Sequence, residues 1–168
     1  MRAFIARCSP ETLYRRFHGT GPRAIDRELL RIASPADEHR SWVVVDGGEV
    51  RGTASLARSR SGATEMAVLV EDRWFRRGIG RALIGALMAH ADRVGLETIT
   101  ASIQADNQRA VRFIRAVAPG ASSPISRIRS VLELIFLSPT RSTRSFSRIP
   151  NLLAGRFATT RSMRAAPY

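Results

Sequence analysis

The sequence predicts an α+β domain built on a mixed, mostly antiparallel sheet flanked by helices. Two amphipathic helical stretches come first, then three short β-type runs separated by Gly-Gly and Ser-Gly turns. After the third run the chain alternates strand, helix, strand, helix, which brings in parallel pairing. At 168 residues and 44% hydrophobic, the chain is long enough for one domain with a real core.

Ser9-Pro10-Glu11 reads as a helix start. Ser caps free amides, Pro suits the first helical position, and Glu is favourable against the dipole. This helix runs to about His18, before Gly19. Pro22 opens a second, in which Ile25, Leu29 and Ile32 recur on one face and which Ser34-Pro35 stops. Ser41–Asp46 and Glu49–Leu56 read as strands joined through Gly47-Gly48, whose freedom at positive φ suits a tight hairpin. Ala63–Glu71 is a third strand. A Gly-rich turn over 76–80 then leads into a helix to about Val94, a strand Leu96–Ile103 and a helix Asp106–Val117, stopped by Pro119-Gly120. Ile125–Arg129 and Val131–Leu137 supply a closing hairpin. Residues 139–168 hold six Arg, eight Ser or Thr, three Pro and no acid, and we expect them to be a basic tail after a domain over 1–138, disordered by composition, with a segment that docks on the domain as the alternative.

Net charge is +13, unevenly placed: 1–120 carry 19 basic and 13 acidic residues (+6), and 121–168 carry eight Arg against Glu133 alone (+7). All 27 basic residues are Arg, which reads as a codon bias and carries no functional weight. A nucleic-acid binder using the Arg-rich end is a competing reading, but helix-turn-helix, zinc-finger and aromatic RNA-binding signatures are absent from the sequence. No apolar run approaches the ~20 residues of a membrane helix, and the opening residues hold no secretory pattern, so we expect a cytoplasmic protein with no membrane partner. One cysteine, Cys8, and scattered His18, His39 and His90 offer no disulfide and no metal-ligand spacing.

The most informative stretch is Val68 to Leu83: a strand, a short loop with Gly78 and Gly80, and a helix. Free amides at a helix start, backed by the positive dipole end, bind phosphate, and Arg76, Arg77 and Arg81 add charge. An ordinary helix-start turn explains the two glycines equally well. No Gly-Lys-Ser/Thr follows, so this is not a Walker A loop, and Leu83 stands where a dinucleotide fingerprint places its third Gly.

In this stretch the chain resembles the GNAT acetyltransferase superfamily, whose signature is Arg/Gln-x-x-Gly-x-Gly/Ala between a strand and a helix. The resemblance implies a GNAT-like fold and acetyl-CoA as co-substrate, with its pyrophosphate on the backbone of Arg76, Arg77, Gly78, Ile79, Gly80 and Arg81 and with Val68, Leu69 and Val70 of the preceding strand also binding the co-substrate. With Gly78 and Gly80 as the signature glycines, the Arg/Gln position is Phe75; the shifted reading Arg77-x-x-Gly80-x-Ala82 satisfies the pattern. Asp106-Asn107-Gln108-Arg109-Ala110 resembles the family's Asn-x-x-Ala helix, which implies that Asn107 seats the pantetheine arm; Asp106 as helix cap and Asn107 as a first-turn residue is the plainer alternative. The Tyr that many relatives carry as proton donor to the thiolate is Ile114 here.

An ammonium nucleophile has no lone pair, and a Lys near pKa ~10.4 needs about 4.6 kcal/mol to lose its proton at pH 7. A carboxylate on a rigid strand is the expected base, since burial raises carboxyl groups toward neutrality. Glu65, in Thr64–Val70 before the cradle, fits; a water-facing strand-edge acid is the alternative. Glu65-x-Ala67-x-x-Val70-x-Asp72-x-Trp74, with Ser9–Phe17, is similar to the bacterial GNAT subgroup of protein-lysine acetyltransferases, which implies that Glu65 is the base. The expected reaction is acetyl transfer to an amine, of a protein lysine or a small molecule, by direct attack in a ternary complex. A backbone N–H near Val68 is the expected oxyanion donor, and neither Cys8 nor a metal is needed. A non-catalytic acyl-CoA-binding regulatory module is the alternative, which Phe75 and Ile114 favour.

Overall fold

The structure is a computed structural model describing residues 1–18, 21, 23, 25–26, 29–30, 39–58, 62–117, 126–128, 131–137 and 157–159. Helix α1 (Arg2–Arg7) and helix α2 (Pro10–Phe17) lead into strands β1 (His39–Asp46), β2 (Glu49–Arg58) and β3 (Thr64–Val70). A 3₁₀ turn (Asp72–Trp74) precedes helix α3 (Ile79–Arg93), followed by β4 (Thr98–Gln104), helix α4 (Gln108–Val117), β5 (Ser126–Ile128), β6 (Val131–Leu137) and β7 (Phe157–Thr159). One sheet of order β5-β6-β4-β3-β2-β1-β7 results, antiparallel throughout except between β3 and β4. This is the mixed, mostly antiparallel sheet the sequence predicts.

The local chemistry behind these elements is visible. Ser9 caps α2, its hydroxyl accepting from the Thr12 amide at 3.2 Å, with Pro10 at the first helical position. Gly47 and Gly48 turn the β1–β2 hairpin at φ 57 and 77, both in the region a two-residue turn of this hand requires. Helix α1 was not foreseen, because six residues without a side-chain cap leave no periodicity to read; it forms by burying Phe4 and Ile5. Most of the helix expected over 22–34 lies outside the described residues, but Arg23, Ile25, Asp26, Leu29 and Leu30 are helical. The expected closing hairpin is present as β5–β6, with β6 paired to β4. Within 139–168, β7 pairs with β1, and the other residues of that stretch lie outside the described ones.

Helices cover both faces. On one, Ile79, Leu83, Leu87 and Ala91 form a four-residue ridge of α3 that packs on Trp42, Ala54, Leu56, Met66 and Ile99, joined by Val111 and Ile114 of α4. On the other, Phe4, Ile5 and Cys8 pack on Leu69, with Leu13, Ile25 and Leu29 alongside. Gly52 lets α3 approach: a Cβ there meets Ile79 Cγ2 at 2.8 Å, Leu83 Cδ1 at 3.1 Å and the Leu69 carbonyl at 3.3 Å. Gly52→Ala is therefore expected to destabilise the fold by about 1–3 kcal/mol through overpacking, read as a lower urea midpoint with unchanged slope. No helix among the described residues is long and apolar enough to cross a membrane.

Candidate active site

Glu65↔Thr100 is the one pair registered between the parallel strands β3 and β4 among the described residues. Both strands continue past it, and Val68–Val70 and Ala101–Ile103 beyond the junction line a cavity of about 1030 Å³. That is at the top of the ~300–1,000 Å³ range of small-molecule sites. Two parting strands leave the backbone groups on their facing edges without a ladder, so those groups are offered to whatever enters.

Alternation along β3 sorts the walls. Met66 belongs to the cluster under α3 and Leu69 to the cluster under α1 and α2, so Glu65, Ala67 and Leu69 share the α2 side. Glu11, Thr12, Arg15 and Arg16 of α2 and its C-cap His18 line the cavity there. The opposite wall comes from the loop after β3 and from α4.

In that loop Gly78 is the N-cap of α3 at φ 83, a position glycine occupies without strain, and no side chain caps the helix. The Ala82 amide is the first to bond within the helix, donating to Gly78 O at 3.0 Å, so the preceding amides of the first turn stay available. Arg76 sits at φ 62, a left-handed conformation costing a non-glycine residue on the order of 1–2 kcal/mol and concentrated at ligand clamps. Gly80 serves packing: a Cβ there lies 3.0 Å from Phe113 Cζ, so a larger residue would require the Phe113 ring to shift by a few tenths of an ångström where α3 and α4 meet.

Of the sequence-predicted residues, Glu65, Val68, Leu69, Val70, Arg76, Gly78, Gly80, Arg81 and Asn107 line the one cavity. Two side chains do not. Arg77 stacks its guanidinium 4.8 Å from the Trp74 ring centroid, and Ile79, 1% exposed, starts the core ridge of α3. Asn107 rather than Asp106 caps α4, its Oδ1 accepting from the Ala110 amide at 3.1 Å. The helix accordingly begins at Gln108, and the Asn107 Nδ2 group has no partner among the described residues. Glu65 is half-buried, with no hydrogen bond or ion pair to any described residue. Ile114 packs in the core beside the cavity and offers no proton. Cys8 is buried and its thiol is pushed up to about 12, by burial first and then by the Asp72 and Glu71 charges, which leaves it unsuited to hold an acyl group.

Sequence reasoning missed the frame that holds the loop. Glu71 is completely buried and pairs with Arg7 at 3.0 Å, Arg51 at 3.2 Å and Arg73 at 3.0 Å. Burial raises its carboxyl, but the hydrogen bonds and charges of Arg7 and Arg51 outweigh this and hold it below the ordinary carboxylate value. Arg51 also lies 5.1 Å from the Trp74 ring centroid. Asp72 accepts 2.7 Å hydrogen bonds from the Ser9 amide, the Ser9 hydroxyl and the Thr12 hydroxyl, which override the upward push of burial and lower its carboxyl too. The α2 wall and the loop before α3 are thereby anchored to the same end of β3. Among the described residues no three His, Cys, Asp or Glu gather as a metal site.

The chain belongs to the Acetyltransferase (GNAT) family, whose sequence model matches residues 9–117. A particular relative is Acetyltransferase Pat of Mycolicibacterium smegmatis, 39% identical over 105 residues, covering 59% of this chain and 31% of that protein. The chain thus matches about a third of this relative's length. Among solved structures it resembles the GNAT domain of S. lividans PAT, with a TM-score of 0.71, 24% identity and coverage of 80% of this chain and 81% of that one. It also resembles spermidine N-acetyltransferase from Vibrio cholerae in complex with CoA and spermine, with a TM-score of 0.59, 15% identity and coverage of 83% and 89%. At those identities the likeness to the two structures is one of fold.

Proposed function

We propose that this chain transfers the acetyl group of acetyl-CoA to an amine by direct attack in a ternary complex, with Glu65 as general base. One observation carries the reading: Glu65 stands where β3 and β4 part, on the α2 side of a cavity whose other wall is an uncapped helix start with basic side chains. The residues fit coenzyme A. The free amides of α3 and the charges of Arg76 and Arg81 suit a diphosphate, and Asn107 Nδ2 and the open edge of β3 suit the amide-bearing pantetheine arm. The co-substrate supplies an activated acyl carbon.

This chain's residues supply position and proton removal. Glu65, directly or through a water, takes the proton from the amine. The amine nitrogen then attacks the thioester carbonyl carbon, an N–H near Val68 steadies the oxyanion, and collapse breaks the C–S bond while the nitrogen's second proton passes through water to the departing thiolate. An inert Cys8 fits a route without an acyl-enzyme. That the Mycolicibacterium relative is an acetyltransferase supports acetyl transfer, and that the Vibrio cholerae protein is complexed with CoA and spermine supports an amine acceptor. We take residues 1–138 as the unit that carries this chemistry, with the basic stretch that follows adding β7 to the sheet edge beside β1.

The test is direct. Purified protein with acetyl-CoA and a panel of amines and lysine peptides is expected to release free thiol, and CoA is expected to protect the amides of 78–81 from hydrogen exchange. Failure of CoA either to protect them or to raise the melting temperature overturns the cradle. Phe75 and Ile114 favour a second reading, a non-catalytic acyl-CoA-binding module, which binding without thiol release on any amine selects.

A further inference from the structure

The cradle's own side chain at position 75 is uncharged, yet a cation is parked on it. Arg109 of α4 places its guanidinium carbon 4.2 Å from the Phe75 ring centroid, and both residues line the cavity with Arg76 and Arg81. We propose that Arg109, seated on Phe75, is a phosphate-binding residue of the coenzyme A site and takes over the charge that position 75 lacks; this rests on the acetyl-CoA reading above.

Both members of the pair are fixed at their roots. The Phe75 amide donates to Asp72 O at 3.1 Å, which ties the ring's backbone to the anchored turn after β3. Arg109 is the second residue of a helix capped by Asn107, and the neighbouring Gln108 bonds Ala105 O at 3.1 Å. Among the described residues no carboxylate lies within ion-pairing distance of Arg109, so its charge is not already spent. An aromatic face holds a guanidinium in plane and leaves its N–H edge free, and that edge is what matches phosphate oxygens two at a time. A Phe at 75 therefore acts as a platform, and the charge arrives from a different helix.

The phosphate involved belongs either to the diphosphate or to the 3′-phosphate of coenzyme A, and two ligands separate these. Binding of CoA and of 3′-dephospho-CoA is measured by calorimetry for the unaltered chain, Arg109→Ala, Arg109→Gln and the double variant Phe75→Arg/Arg109→Ala. We expect both single variants to weaken CoA about 10- to 100-fold, as loss of a charge-assisted contact does. The double variant, with the cation returned to position 75, is expected to recover most of that affinity, which a purely structural role of Arg109 does not allow. Equal weakening for both ligands assigns the diphosphate, and weakening for CoA alone assigns the 3′-phosphate. Unchanged CoA affinity in Arg109→Ala and Arg109→Gln overturns the assignment while leaving the acetyl-CoA reading intact. No binding of CoA by the unaltered chain overturns both. Melting temperatures without ligand, expected to be unchanged because Arg109 is exposed, exclude misfolding as the cause.

Discussion

Glu65→Gln is expected to lower turnover by about 10²-fold or more while leaving the affinity for CoA unchanged. Gln keeps the volume and hydrogen-bonding capacity of the side chain and loses only its basicity, so a selective loss of rate isolates proton removal. The split follows from placement: Glu65 stands at the strand junction on the α2 side, whereas the amides and guanidinium groups suited to the phosphates lie beyond β3 and on α4. Rates are compared at saturating acetyl-CoA with a single amine, and free thiol is the readout. Equal turnover in the variant removes Glu65 from the role and moves the search for a base to the other acids on the cavity wall, of which Glu11 on α2 pairs with Arg15 at 2.9 Å.

What the sequence made legible is local chemistry. Ser9-Pro10 as a helix start, Gly47-Gly48 as a hairpin and Gly78 as the entry to a helix are each dictated by backbone requirements of the residues themselves, and all three occur. The gathering of Glu65, the cradle and Asn107 around one cavity was legible only through resemblance, because it depends on β3 and β4 parting after a single registered pair. Side-chain direction was less legible. Arg76 and Arg77 are adjacent and equally basic, but only Arg76 lines the cavity, because a Trp74 ring three residues back captures Arg77. Ile79 went to the core for a comparable reason: its spacing from Leu83 and Leu87 places it on the buried ridge of α3. The pairing of Arg109 with Phe75 and of Glu71 with Arg7 and Arg51 joins residues 34, 64 and 20 positions apart in sequence, and no periodicity or spacing rule reports contacts at such range.

Glu71→Gln is expected to be the most destabilising single change in the frame around the site, at about 3 kcal/mol, with a melting temperature lowered by roughly 6–12 °C. Removing one partner of a buried ion pair leaves the remaining charges desolvated and uncompensated, which is where the cost arises. The figure is set at the lower end of what such losses reach because Glu49 stays beside both cations, 3.2 Å from Arg7 and 2.6 Å from Arg51. The same substitution is expected to change the pH dependence of stability. Glu71 and Asp72 are both held below their ordinary values, of about 4.3 and 3.9, so at low pH the unfolded chain binds more protons than the folded one and stability rises with pH. Their contribution is complete above those ordinary values and is lost as pH falls through the lower values of the folded state. Urea titrations of the unaltered chain are therefore expected to show a midpoint that declines steeply below pH about 4.3, with a shallower decline in Glu71→Gln, where Asp72 alone remains. Parallel acid limbs in the two proteins would mean that Glu71 is not ionised at the heart of this network, and the anchoring of the loop before α3 would then rest on Asp72 and its bonds to Ser9 and Thr12.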